Sequence, residues 1–232
     1  LRQLEHLNDD MREFAQGLKG KLRVFANTTA MSEFMPGILS KYLMRHPDVS
    51  VELRERLSYR IVQAVAEGLA DIGVLAGIDT SSNEQNNDQL SFIPYRSDNL
   101  VLVTPLEHPL AAYEEVSFTD TLMYEYVGLS EWSAIHHFLR QTADTLGIPL
   151  KFRVEVGGFE AVCRMVAAQV GIGVIPETVA QRQQTYTPIK IVRLKDEWAI
   201  RQLYVCVRNY EMLPPFAQDL VLLMQEDALK NT

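Results

Sequence analysis

The chain contains no run of about 18 apolar residues, the length a helix needs to cross a bilayer. Its hydrophobic residues, 47% of the sequence, are therefore expected to form a core rather than a membrane span. Cysteine is scarce, with only Cys163 and Cys206 in 232 residues. Two thiols on unrelated elements cannot build a disulfide framework, and neither has the paired spacing of a zinc site. Both are expected as buried free thiols in a reducing, cytoplasmic setting. Positive charge is also in deficit: 22 Lys and Arg against 30 Asp and Glu leave a net charge of −8. Affinity for nucleic acid rests largely on Lys and Arg, so this chain is poorly suited to gripping phosphates by itself. No apolar leader with a small-residue cleavage site is visible, and secretion is not expected.

Catalytic signatures are equally thin. There is no G-x-x-x-x-G-K-[ST] loop, no H-E-x-x-H and no G-x-S-x-G elbow. Gly171-Ile172-Gly173 lacks the third glycine of a dinucleotide fingerprint and reads as tight strand packing. His136 and His137 are consecutive, so on a helix they point about 100° apart and cannot share a metal. Both are expected on a solvated surface. Asp71 begins a strand and is expected to serve a turn. No nucleophile–base–orienter set emerges, so the expectation is a binding protein that is not an enzyme, with no cofactor and no metal.

What the sequence does contain is alternating periodicity, strongest from Lys21 to Ala76. Leu22, Val24 and Ala26 alternate with Arg23 and Phe25 at strand spacing. Asn27-Thr28-Thr29 follows with short polar side chains that suit a helix cap. Met31, Phe34, Met35, Ile38, Leu39, Tyr42 and Leu43 then make one apolar helical face. Pro36 is compatible with that helix only in its first turn, and His46-Pro47 ends it. Val49, Val51 and Leu53 form a second strand. Ser58 can cap a helix carrying Ile61, Val62, Val65 and Leu69, and Gly68 suits its end. A third strand, Asp71–Leu75, completes a β-α-β-α-β series, the pattern of a parallel sheet.

The rest of the chain repeats the theme. Leu4, Leu7, Met11, Phe14 and Leu18 are spaced alternately three and four residues apart, an a/d seam over residues 1–19 that predicts a dimerisation helix. The polar stretch Asp79–Gln89 reads as a surface loop. Leu90–Pro94 and Asn99–Thr104 read as separate strands, and Tyr124–Leu129 as a third. After the turn Ser130–Ser133 comes a helix with Ile135, Phe138, Leu139, Ala143 and Leu146. Phe152–Val156 is a strand, Gly157-Gly158 opens the helix Phe159–Val170, and Gly171–Pro176 is a buried strand. Leu203–Val207 is a further strand, and Pro214-Pro215 precedes a last helix with Phe216, Leu220, Leu223 and Met224 on one face.

In open parallel sheets, ligands sit beyond the carboxyl ends of the strands, where helix N-termini offer free N–H groups. In the first series those ends carry Asn27, Thr28, Thr29, then Arg56, Leu57, Ser58, then Leu75, Ala76, Gly77. The hydroxyls could simply cap their own helices; lying together on adjacent ends, they favour a shared pocket for an anion.

The motifs also bear a family likeness. Gly17-Leu-Lys-Gly20 with Leu22-Arg-Val24, Met35-Pro-x-x-Leu39, His46-Pro-Asp-Val49 and Glu67-Gly-Leu-Ala-Asp-Ile-Gly73 come first. Leu100-Val-Leu-Val-x-Pro-x-x-His-Pro-Leu110 and Val166-Ala-Ala-x-x-Gly-Ile-x-x-Ile-Pro176 follow. In this order, over nearly the whole chain, they resemble the effector-binding region of LysR-type transcriptional regulators. The resemblance implies an α/β fold of two flavodoxin-like, periplasmic-binding-protein-like lobes joined by two crossover strands, with a ligand cleft and a preceding linker helix. It places lobe I at 20–98 plus 199–228 and lobe II at 99–198. It implies a small-molecule effector, expected to be a carboxylate, and a homodimer or homotetramer. DNA would be bound only through a winged helix-turn-helix domain that this sequence does not include. By position, the effector residues would be Thr28, Thr29, Ser58, Leu75 and Ala76 from lobe I, with Ser130, Trp132, Ser133, Ile135, Gly158 and Phe159 from lobe II. Trp132 would narrow the pocket or stack on a ring of the effector. Gln169 stands where the family usually has glycine, which implies different local packing. A periplasmic solute-binding protein shares the paired-lobe architecture, but it should carry a signal peptide and has no use for a heptad helix.

The heptad seam generates a test. Placing Glu at both Leu7 and Phe14 is expected to lower the mass measured by sedimentation, and an unchanged mass would show that the helix is no interface.

Overall fold

The computed structural model describes residues 20–77 and 90–229. The expected seam of Leu4, Leu7, Met11, Phe14 and Leu18 and the expected loop Asp79–Gln89 lie outside the described residues. In chain order the strands are β1 (Gly20–Ala26), β2 (Val49–Glu55), β3 (Ile72–Ala76), β4 (Ser91–Pro105), β5 (Glu115–Val116), β6 (Tyr126–Leu129), β7 (Phe152–Val156), β8 (Gly173–Pro176), β9 (Ile189–Leu194) and β10 (Ile200–Val207). The α-helices are α1 (Met35–Arg45), α2 (Ser58–Ala66), α3 (Phe118–Thr121), α4 (Ala134–Thr145), α5 (Phe159–Ala167), α6 (Glu177–Gln184) and α7 (Pro215–Leu229). Two compact units emerge: the first runs to Arg96 and resumes at Leu203, and the second is Ser97–Gln202. Both chain crossings fall within a strand, β4 and β10.

In the first unit, β1 pairs in parallel with β2 on one side and β3 on the other, and β10 joins β3 antiparallel. Side chains alternate across this sheet, and both faces are buried. Leu22, Val24 and Ala26 of β1, Ile72 and Val74 of β3, and Leu203, Val205 and Val207 of β10 share a cluster with Ile38, Leu39 and Tyr42 of α1. Phe216, Leu220 and Met224 of α7 complete it. Phe25, Leu75 and Cys206 enter the opposite cluster with Ile61, Val62 and Val65 of α2. At Gly73 the helix lies so close that a Cβ would meet Ile61 Cγ2 at 2.4 Å, so a side chain there would push α2 off the sheet.

The expected helix after β1 begins with a π-helical turn, Ala30–Phe34, in which the Met35 N–H bonds to the Ala30 carbonyl. Pro36, in the first turn of α1, has no N–H for a normal i to i−4 bond, and the widened turn accommodates the loss. Leu43 and Leu69, expected on apolar helix faces, are exposed at 38% and 56%. Leu43 flanks the row of Met35, Ile38, Leu39 and Tyr42, and Leu69 lies past the end of α2.

The sequence suggests two pieces where the structure has the single strand β4. Arg96 and Asp98 lie between the two expected pieces, and both find partners. Arg96 bonds to Asp227 of α7 and lies 5.0 Å from the Phe34 ring centre. Asp98, 3% exposed, pairs with Arg201. With its charges matched, the backbone continues as a strand.

The second unit packs β4 antiparallel to β8 and β9, and β5 joins β9 in parallel. Strands β6 and β7 run parallel, and Tyr126 of β6 meets Ile172, just ahead of β8, in a parallel bridge. One core holds Leu100, Leu102, Phe118, Tyr126, Ile135, Leu139, Val162, Val166, Ile175 and Val192. Phe118 and Trp198 meet edge to face at 5.2 Å.

Gln169 sits at φ 60, among the described residues the one non-glycine at positive φ. The expectation of different packing is met instead by a glycine-like backbone: a non-glycine holds the left-handed conformation, at a cost of roughly 1–2 kcal/mol. Replacing it with glycine relieves that strain but adds unfolded-state freedom, about 0.5–1 kcal/mol in the other direction. Gln169→Gly is therefore expected to stabilise by up to about 1 kcal/mol, visible as a rise of about 2–4 °C in Tm by calorimetry. A fall in Tm would show that the side chain contributes more than the strain removes.

Candidate functional site

At the carboxyl end of β1, the Asn27 N–H donates to the Val74 carbonyl at 2.9 Å, tying the strand to β3. Its side chain does the capping: Asn27 Oδ1 accepts from the Ala30 N–H at 2.9 Å. Thr28 and Thr29 are buried, at 7% and 1% exposure. The Thr28 hydroxyl donates to Glu55 Oε1 at 2.6 Å, reaching the end of β2. The Arg56 N–H returns to the Ala26 carbonyl at 2.9 Å.

Ser58 corrects the expectation that it caps a helix. Leu57, in extended conformation, occupies the capping position, and Ser58 is the first helical residue of α2. Its hydroxyl donates to the Ala76 carbonyl at 3.1 Å, linking the first turn of α2 to the end of β3. Leu75 is a core residue, 1% exposed, and Ala76 is half-buried against the cluster on the other face. Thr28 thus joins the ends of β1 and β2, Asn27 joins β1 to β3 through its backbone, and Ser58 joins the start of α2 to the end of β3.

This arrangement leaves specific chemistry available. An apolar N-cap satisfies no orphan donor, so the first amides of α2, at Ser58, Tyr59 and Arg60, lack intrahelical acceptors. They present N–H groups and the positive end of a helix dipole. Arg56 and Arg60 are exposed beside them, Arg56 5.5 Å from the Phe25 ring centre and Arg60 5.1 Å from that of Tyr59. Against this, the Glu55 carboxylate adds an acceptor. The set suits an anion that also carries hydrogen-bond donors.

In the second unit the corresponding ends are those of β6 and β7. Ser130 N–H donates to the Val156 carbonyl and Ser133 N–H to the Ser130 carbonyl, both at 2.9 Å. Ser133 is a true cap, its hydroxyl accepting from the His136 N–H at 3.2 Å. Gly158, extended, precedes α5 as its N-cap. Trp132 stands out from the turn at 80% exposure, whereas Ile135 and Phe159 lie in the core at 2% and 7%. For Phe159 the side chain is a packing group, so a planar surface on this unit comes from Trp132.

His136 corrects another expectation. It is 3% exposed rather than solvated. Its ring stacks on Phe152 at 4.4 Å and 16°, and Nδ1 lies 2.9 Å from the Leu129 carbonyl oxygen. The signal was in the periodicity: His136 precedes Leu139 by three residues and Ala143 by seven, on the buried face of α4. Asp71 does more than serve a turn, accepting from the Arg23 N–H at 2.8 Å and from its guanidinium at 2.7 Å. Cys163 and Cys206 are buried free thiols, and burial pushes them up to about 11 and about 12. Among the described residues, no group of three or more His, Cys, Asp or Glu could hold a metal ion, and no helix is long and apolar enough to cross a membrane.

Comparison with known proteins extends the picture. An HTH-type transcriptional regulator, MJ0300 of Methanocaldococcus jannaschii, is 27% identical over 84% of this chain, which spans 64% of that relative's length. The regulatory domain of CcmR from Synechocystis PCC6803, solved in complex with 2-PG, superposes with a TM-score of 0.72 at 18% identity, covering 90% of this chain and 98% of that one. The effector-binding domain of QuiR in complex with shikimate gives a TM-score of 0.66 at 18% identity, covering 91% and 98%. At such identities these structures establish the two-lobed fold. The LysR substrate binding domain family matches residues 15–228, and the chain belongs to that family.

Proposed function

We propose that this chain is the effector-sensing part of a LysR-type transcriptional regulator and that its effector is a small organic anion carrying hydroxyl or ammonium donors. The observation behind the anion is the uncapped N-terminus of α2 beside Arg56 and Arg60, on strand ends laced by Thr28 and Ser58. The observation behind the donors is that both hydroxyls already donate within the protein, to Glu55 and to the Ala76 carbonyl. What they and Glu55 can offer a ligand is acceptor lone pairs. The proposed contacting residues of the first unit are Thr28, Thr29, Ser58 and Ala76; in the second unit the corresponding strand-end residues are Ser130, Trp132, Ser133 and Gly158. Leu75, Ile135 and Phe159 support them from the cores. Shikimate, bound to QuiR, is a carboxylate with hydroxyl groups and so fits this chemistry.

In the proposed mechanism, the effector favours whichever conformation it binds more tightly, and by no more than that difference in affinity. The shift is passed to a DNA-binding domain outside this sequence, in a cytoplasmic homodimer or homotetramer. The acidic balance of the chain agrees with DNA contact being made elsewhere. The reading is of a sensor rather than an enzyme.

A thermal-shift panel of carboxylates, paired with and without hydroxyl or amino groups, is expected to yield hits from the substituted members. Calorimetry with the strongest hit then examines the site. Ser58→Ala and Thr29→Val are each expected to weaken binding about five- to a hundred-fold, the size of one hydrogen bond in a charged site. Glu55→Gln, which removes the charge but keeps an acceptor oxygen, is expected to reduce the preference for donor-bearing ligands. Unchanged affinity in both hydroxyl variants would remove these residues from the site, and hits confined to unsubstituted carboxylates would sink the donor requirement.

A further inference from the structure

The turn that follows β6 depends on a buried histidine that the proposed contacts do not include. Four hydrogen bonds hold the turn Leu129–Ser133. Ser130 N–H bonds to the Val156 carbonyl, Ser133 N–H to the Ser130 carbonyl, His136 N–H to the Ser133 hydroxyl, and His136 Nδ1 to the Leu129 carbonyl. Two of the four come from His136. We propose that His136 is a positioning residue: its Nδ1–H, donated to the Leu129 carbonyl, sets the turn that presents Ser130, Trp132 and Ser133. The consequence for the effector rests on the sensing reading above.

The chemistry at both ring nitrogens supports the assignment. A carbonyl oxygen only accepts, so the bond to Leu129 requires the proton on Nδ1. Nε2 is buried and has no hydrogen-bond partner among the described residues. The imidazole is therefore held through one nitrogen, with the Leu129 carbonyl as its polar anchor. Buried polar atoms are ordinarily matched, so a ring left unmatched on one side acts through the other.

The plane of the ring is fixed as well. Phe152 stacks on it at 4.4 Å and is itself confined. A Cβ on Gly128 would lie 2.4 Å from the Phe152 ring, so the ring occupies the space a larger residue in β6 would take. Tyr126 meets the same ring near edge-on at 6.3 Å. The sequence Tyr126–Leu129 thus builds a slot for Phe152, Phe152 orients His136, and His136 returns to the last carbonyl of β6.

The test separates the hydrogen bond from the packing and needs no ligand. Asn places a side-chain N–H near the Nδ1 position, Gln carries its amide further out, and Leu fills space without donating. Amide hydrogen exchange is read by NMR at Ser133 and His137, with α5 as the internal reference. His136→Asn is expected to stay close to the parent. His136→Gln and His136→Leu are expected to speed exchange about fivefold or more at the turn alone, as loss of one hydrogen bond implies. If the Leu variant protects the turn as well as the parent does, His136 only packs and the proposal fails. In the unaltered chain, nitrogen-15 NMR should show the proton on Nδ1; finding it on Nε2 overturns the proposal even if every variant unfolds. A carboxylate panel without hits would count against the sensing function and leave these two readings standing.

Discussion

A parallel sheet cannot leave either face to water, and that constraint organises this chain. Parallel strands require a crossover, and each crossover helix must lie on a face to bury its own apolar stripe. In the first unit, α1 and α7 cover the face formed by Leu22, Val24 and Val74, while α2 covers the face formed by Phe25, Leu75 and Cys206. Because β1, β2 and β3 run the same way, their carboxyl ends and the helix starts that follow gather at one edge. A concentration of unsatisfied N–H groups there is a product of connectivity. Under the proposed function, the short side chains at that edge complete the site.

Those side chains have two duties. Thr28 and Ser58 join β1 to β2 and α2 to β3 through their hydroxyls, while Asn27 joins β1 to β3 through its backbone N–H and caps the next turn with its side chain. In doing so Thr28 and Ser58 use their hydroxyl donors, while the first amides of α2 have no intrahelical acceptor. Under the proposed function, selectivity for an anion with donors of its own follows from how the scaffold uses its hydrogen bonds. The β6 end solves the same problem with different residues, a serine cap and a buried imidazole in place of threonine and glutamate.

Strand β4 shows how charge can be carried through a folded interior. Its Arg96 meets Asp227, and its Asp98 meets Arg201, at 12% side-chain exposure for the arginine and 1% for the aspartate. Buried pairs of this kind add little net stability against apolar replacements, but removing one partner leaves an uncompensated charge at a cost of about 3–5 kcal/mol. Their effect is to commit this strand to one set of partners.

Periodicity and punctuation alone determined much here. Alternation at Leu22–Ala26 and at Phe152–Val156, apolar faces at Met35–Tyr42 and Ile61–Val65, and the stops at His46-Pro47 and Gly68 follow from local sterics and from the burial of apolar side chains. The family motifs lie on those same elements, which is why the architecture could be read so fully. What remained hidden depended on partners distant in sequence. The alternation shows that Arg96 and Asp98 are charged, but only the fold supplies Asp227 and Arg201, which keep β4 continuous. Ser58 looks like a cap until the carbonyl of Ala76, eighteen residues on, claims its hydroxyl. His136 looks like a surface residue until Phe152, from the neighbouring strand, takes up its ring. A side chain's periodicity states which way it points, whereas its hydrogen-bond partner is set by the three-dimensional path of the rest of the chain.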